Sequence, residues 1–399
     1  MTRSIPRTTS RAAHVAAVAA AASLTLVACS AQPPGGGASA ESTPHGYVAG
    51  ASEHEEPQLG LVGVGDDGAV TMLDLLTEES AEVAGLAFVQ QTDADGRFVA
   101  ASTDDGIAIV DSGAWTVEHG DHSHYYRAEP RVAATLDATG PVRIASTETV
   151  TVVVASGSDE VIVLDRADLG QGEVTELGRI DADAVAAIPL GDAILLADDA
   201  GVRLVDHAGE KLGEPATCTS PTDAMTTRVG IAVACAEGAV LATAEDAPLE
   251  AIPYPAGTDP STIATTLDGR PGRPSVAAVG GTVGFWLLDT RERTWTLVPT
   301  PTPLAHVAAV DDADGHVVAA ATDGRILALD ATGAQLGATE PVLAAALARG
   351  LTPTIEVDAS RAYVPVATDG TVLEIDYADA ARIARTLPLA AAHVAEVGR

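Results

Sequence analysis

"DGAVTMLD" (67–74), "DGIAIVD" (105–111), "DEVIVLD" (159–165), "AGVRLVD" (200–206), "EGAVLATA" (237–244), "GGTVGFWLLD" (280–289), "DGRILALD" (323–330) and "DGTVLEID" (369–376) decide the fold. Each is a turn signal followed by an alternating or wholly apolar run, and all but one close on aspartate. The closing positions Asp74, Asp111, Asp165, Asp206, Ala244, Asp289, Asp330 and Asp376 lie 37, 54, 41, 38, 45, 41 and 46 residues apart. Several short strands recurring at a period near 40–45 predict an all-β chain folded as a β-propeller. The stretch 184–215 shows one unit whole: "AVAAIPL", "DAILLAD", "GVRLVD" and "EKLGE" read as four strands joined by tight Gly/Asp turns. One such sheet leaves both faces wet, whereas a closed ring of them buries both and leaves few open edges.

The count is eight blades, or seven if the weak fifth unit is a distorted insert. The first unit begins at "LGLVGVGD" without an innermost strand, and the last ends on the surplus segment "AAAHVAEVGR". Closure therefore assigns that carboxyl-terminal segment to the first blade. Composition agrees. Of 399 residues 47% are hydrophobic but only 3% aromatic, so the core must be built from Val, Ala, Ile and Leu.

The amino end is not part of that ring. "MTRSIPRTTSRAAHVAAVAAAASLTLVACS" carries Arg3, Arg7 and Arg11 before an apolar run and small residues, as a secretory signal does. Its end, Leu26-Val27-Ala28-Cys29, resembles the bacterial lipobox, which implies lipidation of Cys29. Residues 1–28 are thus expected to be a lipoprotein signal, 29–57 a flexible Pro/Gly/Ser-rich tether, and 58–399 one propeller domain. The chain is expected outside the cytoplasm, a monomer anchored by lipid to the outer face of the cell membrane. No other apolar run is long enough to span a bilayer.

Net charge is −34, with Lys211 the single lysine; losing residues 1–28 removes three arginines and no acid, giving 19 − 56 = −37. Such a surface repels phosphate backbones, which excludes nucleic acid as a partner. In an exported chain Cys218 and Cys235, 17 residues apart, are expected to pair as a disulfide. A zinc pair is the lesser reading, since neither lies in a short C-x-x-C unit.

The interval from Asp111 to Asp165 exceeds the period by about a dozen residues. The excess holds "VEHGDHSHYYRAEP" (117–130), with three of the chain's ten histidines. In an extended chain His122 and His124 face the same way, and His119 can fold back over Gly120. Three imidazoles, or imidazoles with Asp121, suit Zn(II). Glu118, Asp121 or Glu129 could orient an imidazole. "AHVA" recurs at 305–308 and 392–395, which the repeat register puts on innermost strands. His306 and His393 are therefore expected near one mouth of the central channel, with Arg143 in the matching place, either completing a metal site or lining a wet channel. His45 and His54 read as linker residues or as groups that capture or hand over a metal, and His207 and His316 as turn residues without partners.

The lipobox, the repeat and above all "DSGAWTVEHGDHSHYYRAEPR" (111–131) resemble the periplasmic zinc metallochaperone propellers of the AztD family. The resemblance implies that the chain binds Zn(II) and passes it to the solute-binding protein of a zinc ABC transporter, with His119, His122 and His124 on the family's histidine motif. His306 and His393 come from the repeat register alone. Protonation of the imidazoles should weaken loading as pH falls through about 6.5. No acid–base set marks an enzyme. A metal-free interaction or scaffold lipoprotein stays open as an alternative, and behind it a metal-dependent hydrolase.

Overall fold

The computed structural model describes residues 46–65, 67–118 and 122–399. The signal segment, Cys29, His45, His119 and Asp121 lie outside the described residues. From Pro44 onward the chain is one unit, and the described strands form eight antiparallel sheets of three or four strands, with one small extra sheet. Each large sheet runs outward from an innermost strand, as in 142–146, 150–155, 160–165 and 176–181. This is a β-propeller.

The unit at 184–215 folds as read, with strands at 186–190, 193–198, 201–205 and 211–216. The weak fifth unit is not a distorted insert. It forms a full sheet at 223–226, 231–235, 238–242 and 250–253. The sixth is the irregular one: its sheet has three strands, and the innermost place is taken by a single bridge between Asp268 and Ala277. The ring closes as predicted. Strand His393–Val397 pairs with Gly60–Val64 and becomes the innermost strand of the first sheet.

The closing aspartates owe their recurrence to the turn that follows. The Asp74 carboxylate accepts the backbone N–H of Leu76 and Thr77, Asp206 those of Ala208 and Glu210, Asp289 those of Arg291 and Glu292, and Asp330 those of Thr332 and Ala334. Each is a side chain standing in for the ladder as the chain turns into its outer strand. Asp376 departs from this pattern and pairs with Arg361 and Arg382.

Apolar residues alternate between seams because successive side chains leave a strand on opposite faces. In the buried strand 150–155, Val153 and Ala155 pack with Ile107 and Ile109 of the preceding sheet, whereas Val152 and Val154 pack with Ile194 and Leu196 of the following one. The same holds around the ring to the last seam, where Tyr363 and Leu387 meet Leu61 and Leu73. Three of the scarce aromatics share one seam, where Tyr254, Trp286 and Trp295 pack together with ring centres 4.8 to 5.8 Å apart. Cys218 and Cys235 form the expected disulfide.

Candidate metal centre

The overgrown connection leaves the second large sheet between its third strand, Gly106–Asp111, and its outer strand, Arg131–Leu136. The segment "RVAATL" forms the outer strand, and "AWTVE" belongs to the connection. The connection consequently stands at the end of the ring where innermost strands finish. Thr116 Oγ1 donates to the Gly398 carbonyl there, at 2.9 Å.

The exit is tightly specified. The Asp111 carboxylate accepts the Gly113 N–H, and Gly113 takes φ +71°, where a Cβ would stand 2.3 Å from the Ala128 carbonyl oxygen. A hairpin follows, Ala114–Glu118 paired with Ser123–Arg127. A third strand, Ser52–His54, adds antiparallel to 125–127. Part of the expected tether is therefore ordered sheet. Its hydrogen-bonding edge and apolar cover account for this: the Trp115 indole N–H donates to the Gly46 carbonyl, and Tyr47 lies edge-on to Tyr126.

Register puts His124 and Tyr126 on one face of this sheet, with Val117, Trp115 and Glu53 as their cross-strand neighbours, and the His122 ring, just before the strand, packs against His124 on that face. They make a ladder of rings from core to solvent. Tyr126 is fully buried and stacks on Trp115 at 5.2 Å. His124 lies parallel to Tyr126 at 6.2 Å, and exposed His122 stands edge-on to His124 at 5.0 Å. Beneath the ladder the buried Arg97 guanidinium covers Trp115 at 3.9 Å and grips Asp111 through two hydrogen bonds of 3.0 and 2.8 Å. Burial, with Glu53 adding its charge, pushes the Tyr126 phenol above its ordinary pKa.

Two imidazoles bound to one tetrahedral zinc at about 2.0–2.1 Å place their ring centres about 5 Å apart. The separation of His122 and His124 meets that requirement. Among the described residues no three His, Cys, Asp or Glu side chains group around a single metal position. His119 and Asp121 fall between Glu118 and His122 in sequence, outside the described residues. Glu53 accepts from His124 Nδ1 at 2.6 Å. His54 faces the other way, opposite Tyr125, with its Nε2 2.9 Å from Ser52 Oγ.

The other two histidines do not join this face, nor each other. His306 lies within strand Leu304–Ala309, its Nε2 2.6 Å from Asp268 Oδ2. It faces Ala320, next to last in the neighbouring strand, as Arg143 faces Val154. His393 opens its strand and faces Val64, the last residue of its neighbour. It is one step nearer the opposite mouth, in a separate cavity with Leu343, Leu347 and Pro365. A channel cavity of about 390 Å³ is lined by Asp93, Arg143, Asp223, Asp268, Glu356 and Arg399. Arg143 is committed to Asp223 at 2.8 Å. Burial disfavours a charged His306, but the hydrogen bond and charge of Asp268, then Glu356 and Asp223, raise its pKa above the ordinary value. Burial, opposed by Arg399, pushes the Glu356 carboxyl up to about 7, and burial, opposed by Arg143, takes Asp93 to about 6.

Sequence reasoning missed Glu53, which sits in a segment that reads as linker. The run "ASEHEEP" alternates too briefly to announce a strand. His316 was also misread: it is buried, holds Asp312 through Nδ1 at 2.6 Å and packs on Tyr377.

No protein-family model and no curated protein matches the chain. Among solved structures it is similar to AztD from Citrobacter koseri, at a TM-score of 0.70 and 20% identity, covering 86% of this chain and 99% of that one. The apo form of that protein gives a TM-score of 0.69 at 19% identity, with 86% and 98% covered. The dihydro-heme d1 dehydrogenase NirN gives 0.55 at 16% identity, covering 86% of this chain and 75% of that one. At these identities the likeness establishes the shared propeller fold.

Proposed function

We propose that the chain is an extracytoplasmic zinc-binding metallochaperone, held to the membrane through a lipid on Cys29, that passes Zn(II) to the solute-binding protein of a zinc ABC transporter. The observation that carries this reading is the placement of His122 and His124 on one face at a zinc-sharing separation, on a base of Tyr126, Trp115 and Arg97. His119, three residues before His122, supplies the third imidazole. The propeller shared with AztD, and the likeness of 111–131 to the histidine motif of those zinc chaperones, support the same role.

Cargo transfer suits the position. The histidine-bearing end of the hairpin is exposed at His122, so an incoming ligand can approach the ion while the ring keeps the base of the ladder fixed. Zinc there is cargo, and the residues around it bind and orient rather than react.

The test is a zinc titration against a competing chelator. The wild-type chain should hold about one ion tightly. His122→Ala/His124→Ala should lose it while keeping its melting temperature, since both rings stand outward of the buried Tyr126 and Trp115. Undiminished binding by the double variant removes the assignment.

A further inference from the structure

Glu53 and His124 lie 71 positions apart and meet only because strand Ser52–His54 docks on the hairpin. An ionised carboxylate only accepts hydrogen bonds, so at 2.6 Å the proton between them sits on His124 Nδ1. That fixes the tautomer and turns Nε2 toward any metal. Imidazole ligands owe affinity to such an outer carboxylate.

We propose that Glu53 is the positioning residue for His124, so that the strand Ser52–His54 is a removable part of the metal site and its docking and zinc loading strengthen each other. The cargo rests on the reading above; the Glu53–His124 pairing stands without it.

The physical argument is linkage. A strand that favours the metal-competent imidazole must itself be held more firmly when metal is bound, by the same free energy. The strand is three residues long and exposed throughout. Its anchors on the same side are the Gly46 carbonyl on Trp115 and the Tyr47 ring on Tyr126. A sheet edge this short exchanges partners at modest cost. Anything that competes for the edge of 125–127 therefore removes Glu53 from His124 and loosens the ion. His54 supplies an internal control, because it shares the strand but faces away from His124.

The test uses the full chain with Glu53→Gln, Glu53→Asp and His54→Ala. Three readouts apply: chelator-competed zinc affinity, ¹⁵N shifts of the His124 ring without metal, and hydrogen exchange of amides 52–54 with and without zinc. Glu53→Gln should weaken zinc about 10–100-fold, as loss of an outer carboxylate does. It should also mix the His124 tautomers and abolish the zinc-dependent protection of 52–54. Glu53→Asp should restore part of the affinity, and His54→Ala should leave it unchanged. If Glu53→Gln keeps full affinity while His124→Ala loses it, the positioning role is overturned and the zinc reading survives. If the wild type binds no zinc at all, the reading of function fails, while an unmixed tautomer in Glu53→Gln would overturn the pairing on its own.

Discussion

Val397 pairs with Gly60, joining the last strand of the chain to the first strand of the ring. Val394 and Val397 of that strand are both buried, one in each flanking seam. Burying a valine contributes about 1.5–3 kcal/mol. Deleting residues 393–399 should therefore destabilise the ring by at least about 3 kcal/mol and open an apolar edge. Thermal melts and light scattering read this; an unchanged melt with no aggregation would contradict closure by this strand.

Glu396 adds a pH signature to the same strand. It is buried, its Oε1 has no hydrogen-bond partner among the described residues, and its Oε2 meets Arg399 at 3.0 Å. Burial, opposed by Arg399, raises the carboxyl to about 7. The folded state then binds more protons than the unfolded one between the two pKa values, so this group's contribution to stability falls as pH rises toward 7. Glu396→Gln should match the wild type near pH 5 and melt above it at pH 8. A difference between the two that does not change with pH would refute the raised pKa.

Asp111 holds the buried Arg97 beneath the ring ladder. Asp111→Ala leaves a guanidinium without its charge partner and removes the acceptor for Gly113 N–H. Breaking a buried pair on one side costs about 3–5 kcal/mol. The denaturant midpoint should fall accordingly, and zinc affinity with it, since the base of the hairpin loosens. A loss within about 0.5 kcal/mol, the range of ordinary surface changes, would show that the pair does not organise the base.

The disulfide closes a loop of separation 17, and both sulfur-bearing residues are buried. In the chain-entropy model such a loop stabilises by about 3 kcal/mol. Cys218→Ser/Cys235→Ser should lower the melting temperature, and reductant should do the same to the wild type only when it is partly unfolded. Equal melts would show that the fifth sheet does not need its bridge.

The repeat was legible because two signals coincide in most units: an apolar run of strand length and an aspartate whose carboxylate serves the next turn, as Asp74 and Asp330 do. Where a signal is missing, reading fails. Ala244 has no such carboxylate, so the fifth unit looked weak though its strands are regular. The histidine face followed from a period of two and holds for His122 and His124. The side of the ring that carries it did not, because "AWTVE" and "RVAATL" read equally well as strands and only pairing with 106–111 chooses between them. Glu53 reaches His124 through a pairing 71 residues distant in sequence. His393 and His306 share a tetrapeptide but differ by one step of register, which no local pattern reveals.

Because alternate residues of every strand serve different seams, an altered side chain is felt by one neighbouring sheet and hardly by the other. Units can thus drift apart in adjacent pairs. One seam gathers Trp286 and Trp295, while the seam between the third and fourth sheets is built from Val, Ile, Leu and Ala. A blade can likewise acquire a long outgrowth without any other blade having to adapt to it.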